Sequence, residues 1–399
     1  MRIASRVLAL ACLLPLAALA QGKTVKIGVL NDQSGLYTDL GGPGSVVAAK
    51  MAAEEFGNKV AGMPIEIVTA DHQNKPDIGS SVATKWIDVD GVDAIFDVPN
   101  SGVSLAVAKV VADKNKVFVD SGAATVNLTG KNCTPNTVHW TYDTWSLANG
   151  TGKEVVRAGG KTWFFLTADY EFGKQLEKDT RAVVEANGGK VLGSVLHPLN
   201  ASDFSSFLLQ AQASKANVIG LANAGGDTIN SIKAASEFGI VQAGQKLAGL
   251  LVFITDVHSL GLKTANGLQL TSAFYWDRDD KTRAWSKKFA AKHNGKMPSM
   301  VQAGVYAGVL HYLKAVQALK SKDDGKAVVA KMKELPTDDP LFGKGTIRAD
   351  GRKIHNAYLF QVKKPSESKG PWDYYTLRST IPADEAFRPL KDGGCPLVK

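Results

Sequence analysis

"TADYEFGKQLEKDTRAVVEANGGKVLG", residues 167–193, decides how the chain is read. It opens on the end of a β-strand and passes a turn holding Asp169, Tyr170, Glu171, Phe172 and Gly173. A helical pattern follows, closed by Gly188-Gly189, because glycine readily takes the left-handed conformation that ends a helix. Strand, turn, helix and strand make the unit of a parallel sheet. In open sheets of that kind ligands collect at the turns beyond the carboxyl ends of the strands. This turn concentrates rings and acids with no Ser, Cys or His beside them. Its composition suits holding a molecule better than reacting with one.

The same rhythm extends in both directions. Upstream, strand patterns over 24–30, 64–71, 93–99 and 116–122 alternate with helical patterns over 44–58, 77–91 and 102–115. From 161 onward the succession restarts, with strands over 161–169, 190–198, 216–223 and 247–254 and helices over 173–188, 204–215 and 228–240. The fold class is therefore α/β, with two doubly wound, Rossmann-like lobes. Past residue 270 the order loosens into a strand over 268–276, helices over 280–295, 299–321 and 324–335, and a hairpin over 343–364 turned by Asp350-Gly351. Helices followed by a hairpin imply that the chain crosses between lobes more than once.

Residues 1–20 read as a secretory signal: Arg2 and Arg6, an apolar run from Val7, and Ala18-Leu19-Ala20 before a cleavage after Ala20. Lipidation at Cys12, after Ala9-Leu10-Ala11, is the competing reading, against which the apolar run continues past that point. Removing Arg2 and Arg6 lowers the formal charge from +9 to +7. The remaining basic residues are spread along the chain, which points away from nucleic acid. The mature chain keeps Cys133 and Cys395. In an oxidising compartment they form one disulfide or remain as two buried thiols. Neither has CxxC spacing or a neighbouring His, so metal and redox roles are not expected.

A catalytic constellation is missing. The chain has no GxSxG elbow and no GxxxxGK[ST] loop. "GGPGS" (41–45) lies too far from its strand for a dinucleotide turn, where glycines must follow the strand directly. The seven histidines form neither HxH nor HExxH, so no metal ion is expected; His139 and His258 fall near strand ends, where each serves as a ligand contact or a buried structural group. Asp169 and Glu171 have no nucleophile beside them; one of them caps the helix that starts near Phe172, and ligand contact is the alternative for Asp169. No cofactor is expected.

What converges is a set of strand-end loops: 31–42, 99–102 and 121–125 in the first half, and 168–173, 223–227 and 255–258 in the second. They carry hydroxyls, backbone amides and rings. Two lobes facing each other would gather all of them around one cleft suited to a small molecule.

With these segments in place, the chain resembles exported solute-binding proteins of the leucine/isoleucine/valine type, which serve ATP-binding-cassette importers. The resemblance is carried by "KIGVLNDQSGLYTDLGG" (26–42), "VFVDSGAATVNLTG" (117–130), residues 168–193 and "ASDFSSFLLQAQASKANVI" (201–219). It implies a type I periplasmic-binding fold with three crossovers, near 140–145, 275–277 and 342–344. One lobe then holds 24–141 plus 277–342, the other 144–275 plus 343–390, and 391–399 form a tail. By the same resemblance Ser101, Gly122, Ala123 and Ala124 grip a ligand carboxylate through hydroxyl and N–H groups, and Phe172 covers the ligand. Gly225 and Asp256 lie in second-lobe contact loops. Rings are dense near the expected cleft: Tyr37, Trp140, Tyr142, Trp145, Tyr170, Tyr275 and Trp276. Tyr142, Tyr170 and Tyr275 are counted among the ligand contacts. The implied protein is a periplasmic monomer without enzymatic activity, delivering an amino acid or aromatic acid to an inner-membrane permease. A sensing module for a membrane kinase or chemoreceptor, and a binder of small amides, are the alternatives.

Overall fold

The computed structural model describes residues 24–398; the signal segment, its cleavage site and Cys12 lie outside them. The first lobe is built from β1 (Val25–Asn31), α1 (Gly42–Glu55), β2 (Lys59–Val60), β3 (Met63–Asp71), α2 (Pro76–Asp88), β4 (Ala94–Asp97), α3 (Ser101–Asp113), β5 (Val117–Asp120) and β6 (Thr137–His139). Its sheet runs β2-β3-β1-β4-β5-β6, parallel except for β2. The central strands β4 and β5 are buried throughout, as parallel strands covered on both faces must be.

The chain then crosses at 140–143 into α4 (Thr144–Leu147), a π-helical turn over Ala148–Gly152, and α5 (Lys153–Arg157). The second lobe follows as β7 (Thr162–Ala168), α6 (Glu171–Ala186), β8 (Lys190–His197), α7 (Ser205–Ala213), β9 (Val218–Ala222), α8 (Gly226–Glu237) and β10 (Lys246–Gly249). These strands form a parallel sheet in the order β10-β9-β7-β8. α6, the helix of the opening segment, buries Phe172, Leu176, Thr180 and Val184, a stripe at four-residue spacing. Gly173 is dictated by contact: a Cβ there would lie 2.1 Å from Ala168 O. Only glycine lets the turn fold back this tightly onto the end of β7.

Helices α9 (Ile254–Leu260) and α10 (Leu262–Ala265) lead to β11 (Gln269–Ser272). The chain returns to the first lobe with α11 (Asp280–Lys292), α12 (Met300–Leu319) and α13 (Gly325–Glu334), where α12 packs along α1. Strands β12 (Thr337–Asp339), β13 (Gly343–Ile347) and β14 (Lys353–Ile354) make a small antiparallel sheet. It sits at the hinge, where His139 N donates to Gly351 O at 2.9 Å. Last come β15 (Ala357–Val362) and β16 (Tyr375–Ile381), which join β11 in the order β11-β15-β16.

The expected single hairpin over 343–364 is therefore corrected. Asp350-Gly351 turns β13 into β14, but that pairing stops at Ile354. Residues 357–362 pair instead with β11 and β16 on the second-lobe side. The later limb alternates in hydrophobicity like a hairpin strand, and alternation does not say which neighbour a strand takes. Sulfur atoms of Cys133 and Cys395 are joined in a disulfide, with Cα atoms 5.6 Å apart. The bridge fastens the C-terminal tail to the loop before β6.

Candidate ligand-binding cleft

The strand-end loops of the two lobes meet around one small space. Tyr37 and Leu40 come from the loop after β1, Pro99 from the end of β4, and Gly122 and Ala124 from the end of β5. Tyr142 comes from the first crossover. Opposite them stand Tyr170 and Phe172 beside β7, Ala224 after β9, and Leu251 and Phe253 after β10. The wall is almost wholly rings and small apolar groups.

Each side chain is held by its local sequence. The loop after β1 folds around the Asp32 carboxylate, which accepts from Gly35 N at 2.6 Å, Tyr37 N at 2.8 Å and Asn74 Nδ2 at 2.6 Å. Its far end is pinned by the start of α12: Ser299 Oγ donates to Leu40 O at 2.5 Å and Gln302 Nε2 to Gly41 O at 3.0 Å. β4 ends in two left-handed residues, Asp97 (φ 83°) and Val98 (φ 57°), a costly conformation of the kind found at functional sites. Asp97 is held there by Asn31 Nδ2 at 2.8 Å, and burial raises its carboxyl to about 6. Tyr142 OH donates to Gly122 O at 2.5 Å, and its ring meets Phe253 edge-on with centroids 6.1 Å apart.

The lobes touch directly across the cleft. The hydroxyls of Tyr37 and Tyr170 meet at 2.5 Å, and Gly226 N donates to Leu36 O at 3.3 Å. Glu171 Oε1, on the second lobe, accepts from Thr125 Oγ1 at 2.8 Å and Asn127 Nδ2 at 2.7 Å on the first. Gly225 (φ 58°) fits the same seam, since a Cβ there would lie 2.6 Å from Leu36 O. The lobes are thus in direct contact along this seam.

The expected site residues divide into three groups. Gly122, Ala124, Tyr142, Tyr170 and Phe172 line the cavity, and Gly225 borders it through Leu36 and Tyr37. Ser101 and Ala123 stand one layer behind. Ser101, first residue of α3, accepts from Thr125 N at 3.3 Å. The Gly122 and Ala123 N–H groups both donate to Asp120 Oδ1 at 2.8 Å, so they are engaged by the protein itself and do not form the expected carboxylate grip.

Asp256 and Tyr275 are placed elsewhere. Asp256 caps α9, its Oδ2 accepting from Phe253 N at 2.9 Å, and burial pushes its carboxyl up to about 7. Tyr275 packs in the second-lobe core against Phe360 and Tyr375, and its hydroxyl accepts from Tyr374 N at 3.2 Å. The reason is a strand boundary: β10 ends at Gly249, earlier than the expected 254, so Leu251 and Phe253 turn into the cleft and 255–258 become helix. Asp169 is half-exposed and pairs with Lys174 at 2.7 Å, outside the cavity. His139 Nε2 lies 2.8 Å from Ala123 O, and His258 stacks on Trp372. Trp140 is hinge core, and Trp276 Nε1 donates to Trp372 O at 2.8 Å. Leu40, Pro99 and Ala224 are lining residues within the expected strand-end loops, whereas Leu251 and Phe253 fall inside the strand expected over 247–254 and come to light only with the true end of β10.

Among the described residues no cationic side chain lines this space. Among the described residues no group of three or more His, Cys, Asp or Glu is arranged to hold a metal ion, and no helix is long and apolar enough to cross a membrane.

Comparison with known proteins agrees with this architecture. A Leu/Ile/Val-binding protein homolog 6 of Brucella melitensis is 26% identical over 362 residues, covering 88% of this chain and 90% of that protein. A crystal structure of a periplasmic binding protein from Burkholderia mallei is 56% identical, with a TM-score of 0.92, covering 94% of this chain and 99% of that one. A branched chain amino acid ABC transporter periplasmic ligand-binding protein from Burkholderia xenovorans is 42% identical, with a TM-score of 0.83, covering 94% and 100%. The paired α/β lobes are the type I form of this fold, and with residues 24–370 matching the family described as periplasmic binding protein, the chain belongs to that family.

Proposed function

We propose that the chain is the periplasmic solute receptor of an ATP-binding-cassette importer. It captures a small carboxylate-bearing solute by closure of its lobes and presents it unchanged to a permease. The observation that carries this reading is the cavity itself: both lobes supply strand-end loops to one ring-lined space, and cross-lobe hydrogen bonds close over it. A ligand that contacts both lobes favours the shut state by its differential contacts. The Burkholderia xenovorans relative is named for branched-chain amino acids, and that class is one candidate here.

Within the carboxylate class the site favours a ring-bearing acid over an α-amino acid. The wall offers aromatic faces for stacking, with Tyr37, Tyr142, Tyr170, Phe172 and Phe253 around the space. An α-ammonium group needs a carboxylate, and Asp256, the acid expected to supply it, is spent on the cap of α9. Ala124 N remains a first-lobe donor toward the ligand carboxylate: among the described residues no hydrogen bond uses it.

The test is a thermal-shift and tryptophan-fluorescence screen across benzoates, branched-chain amino acids and small amides, with NMR of the recovered solute. Stabilisation by a benzoate, recovery of it intact and loss of the effect in Phe253→Ala are expected. Conversion of the solute to a product would overturn the receptor reading, and a response to leucine alone would overturn the preference for rings.

A further inference from the structure

Tyr142 stands in the cavity wall, yet it belongs to the crossover strand that joins the lobes. Its position is set from behind. His139 N donates to Gly351 O at 2.9 Å, His355 Nε2 lies 2.8 Å from Thr141 O, and Arg352 Nη1 donates to Tyr142 O at 3.0 Å. Three attachments, at residues 139, 141 and 142, thus zip this segment to the turn around β14.

Arg352 is the unusual member. Its side chain is fully buried. Nε donates to Lys353 O at 3.1 Å, the Asp143 carboxylate lies 3.7 Å from Nη1, and the ring of Phe387, which leads into the C-terminal tail, lies 4.4 Å from the guanidinium carbon. Among the described residues Nη2 has no acceptor. Burying a guanidinium with an unfilled donor is a poor way to gain stability, since an apolar side chain of similar volume often serves as well. What a guanidinium offers instead is direction: a rigid planar fork that fixes the angle between the groups it binds. Here those groups are the first crossover strand, the β14 strand and the tail, all passing through the hinge.

We propose that Arg352 is a positioning residue of the ligand site: its fork holds the first crossover strand where the Tyr142 ring forms part of the cavity wall, and Phe387 links that strand to the disulfide-fastened tail. The connection runs from the guanidinium through Tyr142 O to a ring that touches Phe253 and a hydroxyl that donates to Gly122 O. A shift of the crossover strand would move both contacts. The ligand half of this inference rests on the receptor reading, and the hinge half does not.

Hydrogen-exchange mass spectrometry on the mature, disulfide-intact protein tests the hinge half, using Arg352→Met and Arg352→Lys. In the Met variant the segment 139–147 is expected to exchange about tenfold faster, a local opening, while strands 25–31 and 218–222 keep wild-type protection. The Lys variant keeps the charge without the fork and should recover only part of the protection; it also reports if the Met variant does not fold. Unchanged exchange at 139–147, or equal acceleration in the two sheets, would overturn the proposal. Benzoate and leucine titrations read the ligand half. The solute that wild type takes should bind the Met variant about tenfold more weakly through faster release. Unchanged affinity would overturn the link to the cavity. A wild type that takes neither solute counts against the proposed solute class, and the exchange result then decides the hinge claim alone.

Discussion

Glu171 is the side chain on which closure of the cleft can be measured most directly. Its Oε1 takes Thr125 Oγ1 at 2.8 Å and Asn127 Nδ2 at 2.7 Å, both from the opposite lobe. Replacing it with alanine removes two hydrogen bonds between the lobes, which on the receptor reading exist only when the lobes are shut. Bonds to a charged acceptor contribute about 1.5–3 kcal/mol each when buried. These two are part-buried and screened, which brings the pair to about 2 kcal/mol. The first-turn acid also favours the α6 dipole by about 0.5 kcal/mol, but it does so in open and closed forms alike and cancels. At about 1.4 kcal/mol per factor of ten, the closed-to-open ratio falls about 30-fold. Solute affinity falls by the same factor when the open form dominates the free protein. Glu171→Gln keeps an acceptor oxygen without the charge and should fall between. Calorimetric titration with the solute found in the screen gives the affinity, and small-angle scattering with and without solute gives the opening. An alanine variant within threefold of wild type in affinity, with an unchanged scattering radius in the free state, would refute the reasoning.

Three further outcomes are expected. Burial raises Asp256 to about 7, and Asp97 and Asp227 each to about 6, all above their unfolded values. Groups raised in this way stabilise the fold fully below about pH 4 and lose that contribution as pH climbs through 6 to 7, with a slope of at most about 1.4 kcal/mol per unit for each. Asp256→Asn, which keeps the cap to Phe253 N, should flatten part of that fall in urea titrations at pH 4, 5, 6 and 7; an unchanged slope would contradict it. Cys133→Ser with Cys395→Ser opens a loop closed across 262 residues and should cost about 2–5 kcal/mol in urea unfolding under non-reducing conditions. Equal midpoints for the variant and wild type would exclude a stabilising bridge. Gly225→Ala places a Cβ against Leu36 O at a left-handed position, so solute affinity should drop at least tenfold; unchanged affinity would mean that the seam does not close there.

Much of the fold was legible because parallel strands announce themselves. Runs such as Ala94–Asp97 and Val117–Asp120 are short and mostly apolar, and the first leads into α3, whose start is marked by the Asn100 cap. The strand-end loops were legible for the same reason, and they place Tyr142, Tyr170 and Phe172 around one space. Boundaries were less so. "LAGLLVFI" reads as one strand by composition, yet the chain leaves the sheet at Gly249, and that break decides which second-lobe residues face the ligand. Asp256 and Tyr275 were misplaced because a buried acid or phenol looks alike from sequence whether it meets a ligand or a backbone amide. The distinction lies in what is packed beside it, here Phe253 N and Tyr374 N. The Glu171 contacts join residues 46 and 44 positions apart, a pairing that no local pattern encodes.

The buried lining has a kinetic consequence. Tyr37, Tyr142, Phe172, Leu251 and Phe253 are each no more than 4% exposed, so most of the lining is shut away from solvent while the lobes touch. On the receptor reading, a guest held behind them departs when the two halves swing apart. Its residence time is then the lifetime of the shut state, and a mutation far from the guest that hastens the swing shortens its stay as surely as one that touches it.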